Sequence, residues 1–286
     1  MSTSVLSITT TSPDQPIRVI QISDSHLFES CDTELLGMNT EASFQAVINL
    51  IKTEQNFKER TKTDTQNSVS LFIATGDIAQ TPSEKTYTRF LDTMQTFDQP
   101  CVWLQGNHDL SHLFLAQQNN AANINVIKLG SLWLLIMLNS SSDHEIKGHF
   151  SPEELNWLSQ QLSAYPDRHI LIAMHHNPIK IQSEWLDQIG LSNADAFWSI
   201  IDHAPQVKAV IHGHIHQNFE ATRSLVKILA CPSTCIQFKP QSDTFTIDNL
   251  PPGYRWIDLH PDGHINSGIS RLTSMPAGVD FDSLGY

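Results

Sequence analysis

Arg18-Val19-Ile20-Gln21-Ile22-Ser23-Asp24-Ser25-His26 decides how this chain reads. Its first five residues are mostly β-branched or aliphatic, the makings of a strand. Just past the strand's end stand a carboxylate and an imidazole, one residue apart. The pattern recurs along the chain. Ser70-Leu71-Phe72-Ile73-Ala74 runs into Gly76-Asp77, and Cys101-Val102-Trp103-Leu104 into Gly106-Asn107-His108-Asp109. His169 to Met174 feeds His175-His176, and Val207 to Ile211 feeds Gly213-His214-Ile215-His216. Two carboxylates, an amide oxygen and at least four imidazoles suit two adjacent metal ions of intermediate hardness, bound through mixed oxygen and nitrogen. One Asp-x-His or Gly-Asp says little; five such motifs in order say a good deal.

Helices are expected between these strands. Glu41 to Lys52 sets Phe44, Val47, Ile48 and Ile51 on one helical face. Glu84 to Met94 reads as a helix with Ser83 as its N-cap. Ser151-Pro152-Glu153-Glu154 opens another with a cap, a proline at the first position and acids in the first turn, its apolar face being Leu155, Leu158 and Leu162. Leu132 to Asn139 reads as a further apolar strand. Alternating strands and helices imply an α/β domain, and in such folds ligands gather at the carboxyl ends of strands. Residues 1–15, rich in Ser and Thr, read as a flexible lead-in, and residues 16–225 as the core. Glu54 to Ser68 is polar and aperiodic, a loop or partly disordered insert. Residues 226–286, rich in Pro, Gly and Asp, read as a C-terminal extension packed on the core, with strand-like pieces at Tyr254–Leu259 and Ile269–Leu272.

The 286 residues are 40% hydrophobic and 16% charged, ordinary for a globular protein. A formal net charge of −13 argues against a phosphate-tracking, nucleic-acid-binding surface. It leaves room for a small phosphorylated substrate, because bound cations invert the local potential. The four cysteines, Cys31, Cys101, Cys231 and Cys235, are too scattered for a disulfide framework and are expected as reduced thiols of a cytoplasmic protein. Met1 to Gln15 lacks the features of a secretory signal, and no apolar run approaches the ~20 residues of a membrane span. A P-loop, a dinucleotide glycine fingerprint and a G-x-S-x-G elbow are all missing.

The five motifs resemble those of the calcineurin-like metallophosphoesterase superfamily. That resemblance implies two mixed β-sheets packed face to face between helices, with a dinuclear centre at the strand C-terminal ends. It further implies that Asp24, His26 and His216 bind the first metal, that Asn107, His175 and His214 bind the second, and that Asp77 bridges them. Of the two histidines in Met174-His175-His176-Asn177-Pro178, His175 matches the ligand and His176 the rim of the site. Within each Asp-x-His or His-x-His element alternate residues are expected to point the same way; His212 adjoins the last motif without fitting that alternation and is assigned a structural role. Asn107, His108 and His216 are expected to face the substrate phosphate. His108 and Asp77 are the expected catalytic residues, with His108 stabilising charge or giving a proton to the leaving oxygen. Asp109 either orients His108 or caps its loop. Gly106 and Gly213 are expected to permit tight backbone turns.

Within the superfamily the chain is most similar to the bacterial class III 3′,5′-cyclic-AMP phosphodiesterases. The likeness extends past the metal motifs to Trp185-Leu186-Asp187, to Pro232 through Pro240 and to Pro252-Gly253-Tyr254-Arg255-Trp256. It implies that a hydroxide bridging the metals attacks phosphorus in line and displaces the 3′-oxygen of cyclic AMP, giving 5′-AMP. Protein phosphatases of the superfamily extend Gly-Asp differently from Gly76-Asp77-Ile78-Ala79-Gln80. Two alternatives stand beside this reading: a broader phosphodiesterase acting on 2′,3′-cyclic nucleotides or glycerophosphodiesters, and a non-catalytic scaffold. The metals implied are iron or manganese, with zinc or cobalt as alternatives. Every proposed ligand precedes residue 217, so the tail is expected to complete the nucleotide site or support a homodimer rather than serve the metals. Phe238 and Trp256 are expected either to stack on a base or to pack a core or an interface.

Overall fold

The computed structural model describes residues 4–9, 14–55, 68–116 and 124–285. The chain opens with β1 (Ser4–Ile8), β2 (Ile17–Ile22), the short pair β3 (Glu34–Leu35) and β4 (Met38–Asn39), α1 (Thr40–Glu54) and β5 (Val69–Ala74). It continues through α2 (Glu84–Met94), β6 (Cys101–Trp103), α3 (Ser111–Ala116), β7 (Ile124–Leu129), β8 (Trp133–Met137) and α4 (Pro152–Ala164). Then come β9 (His169–Ala173), α5 (Glu184–Asp187), α6 (Ala194–Ile201) and β10 (Val207–His212). The last elements are β11 (Glu220–Arg223), β12 (Val226–Ala230), β13 (Gly253–Leu259) and β14 (Ile265–Arg271).

Two mixed sheets form, one of seven strands ordered β1-β7-β8-β9-β10-β12-β11 and one of five ordered β14-β13-β2-β5-β6. The strands of their middles are apolar on both faces, and each face has a distinct use. Val19, Leu71 and Ile73 of the small sheet meet Leu135, Leu171, Ala209 and Ile211 of the large one in the inter-sheet core. The alternate residues Ile20, Ile22, Phe72 and Ala74 pack beneath α1 and α2 with Phe44, Val47, Tyr87 and Phe90. On the far side Leu134, Ile136, Ile170, Ile172 and Val210 pack with Leu158 and Leu162 of α4 and Phe197 and Trp198 of α6. Truncating any one of these aliphatic residues to Ala would cost about 2–5 kcal/mol. The expected caps form: Ser83 Oγ accepts from Thr86 N at 3.2 Å and Ser151 Oγ from Glu154 N at 3.1 Å. Among the described residues no helix is long and apolar enough to cross a membrane.

Two expectations change. The lead-in contains a strand, because β1 pairs in parallel with β7 and lays Leu6 and Ile8 against the inter-sheet core. The stretch after residue 225 is not an addition packed on a finished core. β12 lies between β10 and β11, and β13 lies between β2 and β14, so both sheets depend on it. A chain cut at about residue 225 would lose strands from inside both sheets. Most of the polar insert, residues 56–67, lies outside the described residues.

Candidate metal centre

β2, β5 and β6 are neighbours in the small sheet, and β9 and β10 in the large one. Within each sheet these strands run parallel, and the segments that follow all five meet in one place. β2 carries Asp24 and His26, β5 carries Asp77, β6 carries Asn107 and His108, β9 carries His175, and β10 carries His214 and His216. The backbone there is unusual. Asp24, His26, Asp77, His214 and His216 all have positive φ, between 46° and 68°. A non-glycine residue held in this region costs about 1–3 kcal/mol, and such residues cluster at functional sites. The side chains therefore converge through left-handed turns of these Asp and His residues themselves rather than through extended alternation. Of the motif glycines, only Gly76 has positive φ, 93°. Gly106 and Gly213 serve close approach instead: a Cβ would lie 2.1 Å from Asp77 Oδ1 at the first and 2.1 Å from Ser23 Oγ at the second.

The seven residues expected as ligands come together in two overlapping groups. His26 Nε2 lies 3.1 Å from His216 Nε2, and His216 Nε2 lies 3.5 Å from Asp24 Oδ1. Asp77 Oδ2 is 3.7 Å from His26 Nε2 and 3.3 Å from His175 Nε2, so one carboxylate oxygen faces both groups. In the second group His175 Nε2 is 3.1 Å from Asn107 Oδ1. His214 closes it: its Nε2 is buried without a hydrogen-bond partner, and its ring centroid is 5.2 Å from that of His175. The donor atoms of Asp24, His26 and His216 fall within 4.8 Å of one another, as do those of Asp24, Asp77 and His175.

Hydrogen bonds fix which nitrogen faces inward. A carbonyl oxygen only accepts, so Nδ1–H of His175 donates to Thr75 O at 2.7 Å and Nδ1–H of His216 to Ile236 O at 2.7 Å. His26 Nδ1 is likewise held by Gln80 Oε1 at 2.6 Å. Each ring then turns Nε2 to the centre, the arrangement in which an outer acceptor orients a metal-bound histidine. The facing Nε2 atoms of His26 and His216 are lone pairs that repel each other, and a shared cation removes that repulsion. Two donors each about 2.0–2.1 Å from one ion lie roughly 3 Å apart at ordinary coordination angles. The residues present fit two adjacent cations.

Electrostatics point the same way. Burial opposes ionisation of Asp24, but His216 and His175 outweigh it and hold the carboxyl below its usual range. Burial likewise opposes Asp77, which His175 and His108 hold well below that range. Burial lowers His26 to about 3 and keeps His214 well below its ordinary value, so both stay neutral donors. His175 differs: burial pulls it down, yet Asp77 lifts it to about 9. A metal ion held by His175 would have to displace that proton.

The residues around the two groups each have a definite place. Asp109 caps its loop rather than orienting His108: its carboxylate accepts from the N–H of Gly106 at 2.9 Å, Ala79 at 3.1 Å and Ile78 at 3.3 Å, and from Tyr87 Oη at 2.9 Å. It ties the Asp77 loop to the Asn107 loop, while burial and the nearby Asp77 push its carboxyl up to about 7. His108 is half-buried; its backbone N–H donates to Asp77 Oδ1 at 2.8 Å, and its ring meets that of His26 edge-on at 4.8 Å. His176 lies beside the second group, with its ring centroid 4.7 Å from that of His214. Both its nitrogens are engaged, Nδ1 with Ser140 Oγ at 2.8 Å and Nε2 with Ile146 O at 3.1 Å. His212 is buried with Nδ1 on Gly213 O at 2.9 Å, outside both ligand groups.

Sequence reasoning missed what the tail does here. Ser233 Oγ donates to Asp24 O at 2.7 Å, Thr234 N to Ser23 O at 3.1 Å, and Ile236 O takes the His216 proton. Phe238 is 2% exposed and stacks on the His216 ring at 4.1 Å and 13°. It is closed off from any base. Trp256 packs under Arg18 on the outer face of the small sheet, away from the metal ligands. The tail thus contacts Asp24 and His216, two of the residues expected as ligands, which no motif in the tail announces. Gln80 was legible only as part of Gly76-Asp77-Ile78-Ala79-Gln80, and nothing local marks Ile236 as the partner of His216.

Known proteins share both the fold and the sequence. A crystal structure of a dimetal phosphatase from Danio rerio superposes with a TM-score of 0.59 at 14% identity, covering 90% of this chain and 99% of that one. The 3′,5′-cyclic adenosine monophosphate phosphodiesterase CpdA of Pseudomonas aeruginosa is 36% identical over 278 residues, 97% of this chain and 98% of its own length. CpdA of Escherichia coli (strain K12) is 37% identical over 274 residues, 94% and 95% of the two chains. The model of the calcineurin-like phosphoesterase family matches residues 17–218, a span that holds all seven converging residues expected as ligands. With that match and relatives this similar along nearly the whole chain, the protein belongs to the calcineurin-like phosphoesterase family.

Proposed function

We propose that this chain hydrolyses 3′,5′-cyclic AMP to 5′-AMP. The observation that carries the reading is similarity to relatives of that name over 94–97% of the chain, tail included, rather than over the metal motifs alone. The proposed first metal set is Asp24, His26 and His216, the second is Asn107, His175 and His214, and Asp77 is shared. Mixed imidazole, carboxylate and amide donors favour iron or manganese, with zinc or cobalt as substitutes. When bound, the two ions supply Lewis acidity toward the phosphoryl oxygens and lower the pKa of an attacking water.

The rest falls to the chain's own groups. The half-buried His108 is proposed to stand over the substrate phosphate, kept there by its backbone bond to Asp77. It would hold charge on the phosphoryl oxygens and pass a proton to O3′ as it leaves. The new O–P bond forms opposite O3′, the P–O3′ bond breaks, and the phosphate stays on C5′. Asn107 and His216 are proposed to border the same phosphate. The Asp109–Tyr87 hub holds the Asp77 and Asn107 loops in register, so that the phosphate is positioned rather than merely bound.

The test is a side-by-side kcat/KM comparison of 3′,5′-cyclic AMP, 2′,3′-cyclic AMP, glycerophosphocholine and bis-p-nitrophenyl phosphate. A clear preference for 3′,5′-cyclic AMP with 5′-AMP as product supports the reading. Equal or better turnover of 2′,3′-cyclic AMP or the glycerophosphodiester would replace it with the broader activity.

A further inference from the structure

His216 follows β10 on a left-handed backbone, with φ of 50° and no strand to hold its ring. What holds it comes from beyond residue 218, where the family match ends. Ile236 O accepts the Nδ1 proton at 2.7 Å. Phe238 covers one face of the imidazole nearly parallel, and its N–H reaches His216 O at 3.4 Å. Phe238 is itself fixed edge-on by Trp185 at 5.0 Å and Phe245 at 5.4 Å, and its backbone bridges to Ile247. The ring therefore has one orientation and one tautomer, both set by the tail.

From this we infer that Phe238 is a positioning residue for the first metal half-site. Together with Ile236 it makes the C-terminal segment a determinant of metal affinity. The inference rests on the proposed role of His216 as a ligand. Two effects act together. The stack and the carbonyl remove the rotational freedom that His216 would otherwise lose on binding metal. An imidazole that gives its lone pair to a cation also becomes electron-poor, and the negative face of a phenyl ring favours that form over the free one. A leucine would fill much of the same volume and supply only the packing.

The experiment measures Mn²⁺ dissociation constants on metal-free full-length chain by chelator competition. It compares wild type, Phe238→Leu, His216→Ala and Phe44→Leu. Phe44 is an equally buried phenylalanine, stacked on Phe90 at 5.7 Å in the α1–α2 layer, and controls for lost core packing. Phe238→Leu should weaken one of the two Mn²⁺ ions by about 10–100-fold, the usual effect of removing an outer partner of a metal-bound histidine. Phe44→Leu should lower Tm without moving either constant. Equal constants for Phe238→Leu and Phe44→Leu would overturn the inference. Unchanged constants in His216→Ala would instead overturn the ligand assignment. If Phe238→Leu does not fold, graded fluorination of the phenylalanine at 238 decides. Affinity falling with each added fluorine supports the inference, and a flat series refutes it. In metal-free wild type, ¹⁵N NMR should find the His216 proton on Nδ1; a proton on Nε2 would contradict the positioning.

Discussion

Adjacent histidines should behave in opposite ways. His176 uses both ring nitrogens on the loop after β8, with hydrogen bonds of 2.8 Å to Ser140 Oγ and 3.1 Å to Ile146 O. Its ring is packed so closely against Gly148 that a Cβ there would lie 2.5 Å from it. His176→Ala would leave the Ile146 carbonyl and the Ser140 hydroxyl to find water, at about 1–3 kcal/mol for each group left unpaired. It also opens a ring-sized void, and the combined destabilisation should be roughly 3–5 kcal/mol. At about 2.1 cal/mol/K of unfolding entropy per residue, a chain of this length loses between about 5 and 8 °C in Tm. Both metals should remain, because neither nitrogen has a lone pair to spare. His175→Ala should show the reverse, losing the second metal. The assay is elemental analysis of purified protein with a thermal melt on the same sample. Loss of one metal in His176→Ala, with His175→Ala retaining two, would exchange the two roles.

Three further outcomes are expected. Asp77→Ala, by removing the oxygen that faces both groups, should empty both sites and abolish hydrolysis; retention of two metals per chain would show that it does not bridge. His108→Ala should keep its metals and lower kcat by about 10²–10⁴-fold, whereas metal loss would make His108 a ligand. In the metal-free chain, Asp77 raises the His175 pKa from 6.5 to about 9 against the pull of burial. The stability from that shift is fully present below about pH 6.5 and is lost as pH rises through 9. The Tm advantage of metal-free wild type over His175→Asn should shrink across that window; a constant difference would show that His175 carries no extra proton.

Local signals made much of this legible. The apolar runs at Arg18–Ile22, Ser70–Ala74 and His169–Met174 supply β2, β5 and β9, and each strand is followed within three residues by a residue expected as a ligand. Ser83 and Ser151 cap the helices that their chemistry implies. What escaped was non-local. β1 is a lone alternating segment in a Ser/Thr-rich stretch, and its partner Ile124–Leu129 is over a hundred residues away. β13 joins β2 across the whole core, a pairing that no composition reveals. The site divides in the same manner: ligand types are written in short motifs, while Ile236, Phe238 and Ser233, which hold His216 and Asp24 in place, are set by topology. The chain does turn tightly at Gly106 and Gly213, where Asp109 N–H reaches Gly106 O at 3.3 Å and Ile215 N–H reaches Gly213 O at 2.8 Å, but spacing does not show that the left-handed conformations belong to the Asp and His residues themselves.

Two cations held by the converging Asp, Asn and His side chains are proposed to be what the chain needs to open the 3′-ester of cyclic AMP. Titrating metal-free protein with Mn²⁺, while following cyclic AMP and its products by chromatography, tests this directly. Hydrolysis should be absent without metal, rise to a plateau at two equivalents per chain and yield 5′-AMP alone. A plateau at one equivalent, full activity without added metal, or 3′-AMP as the main product would contradict it.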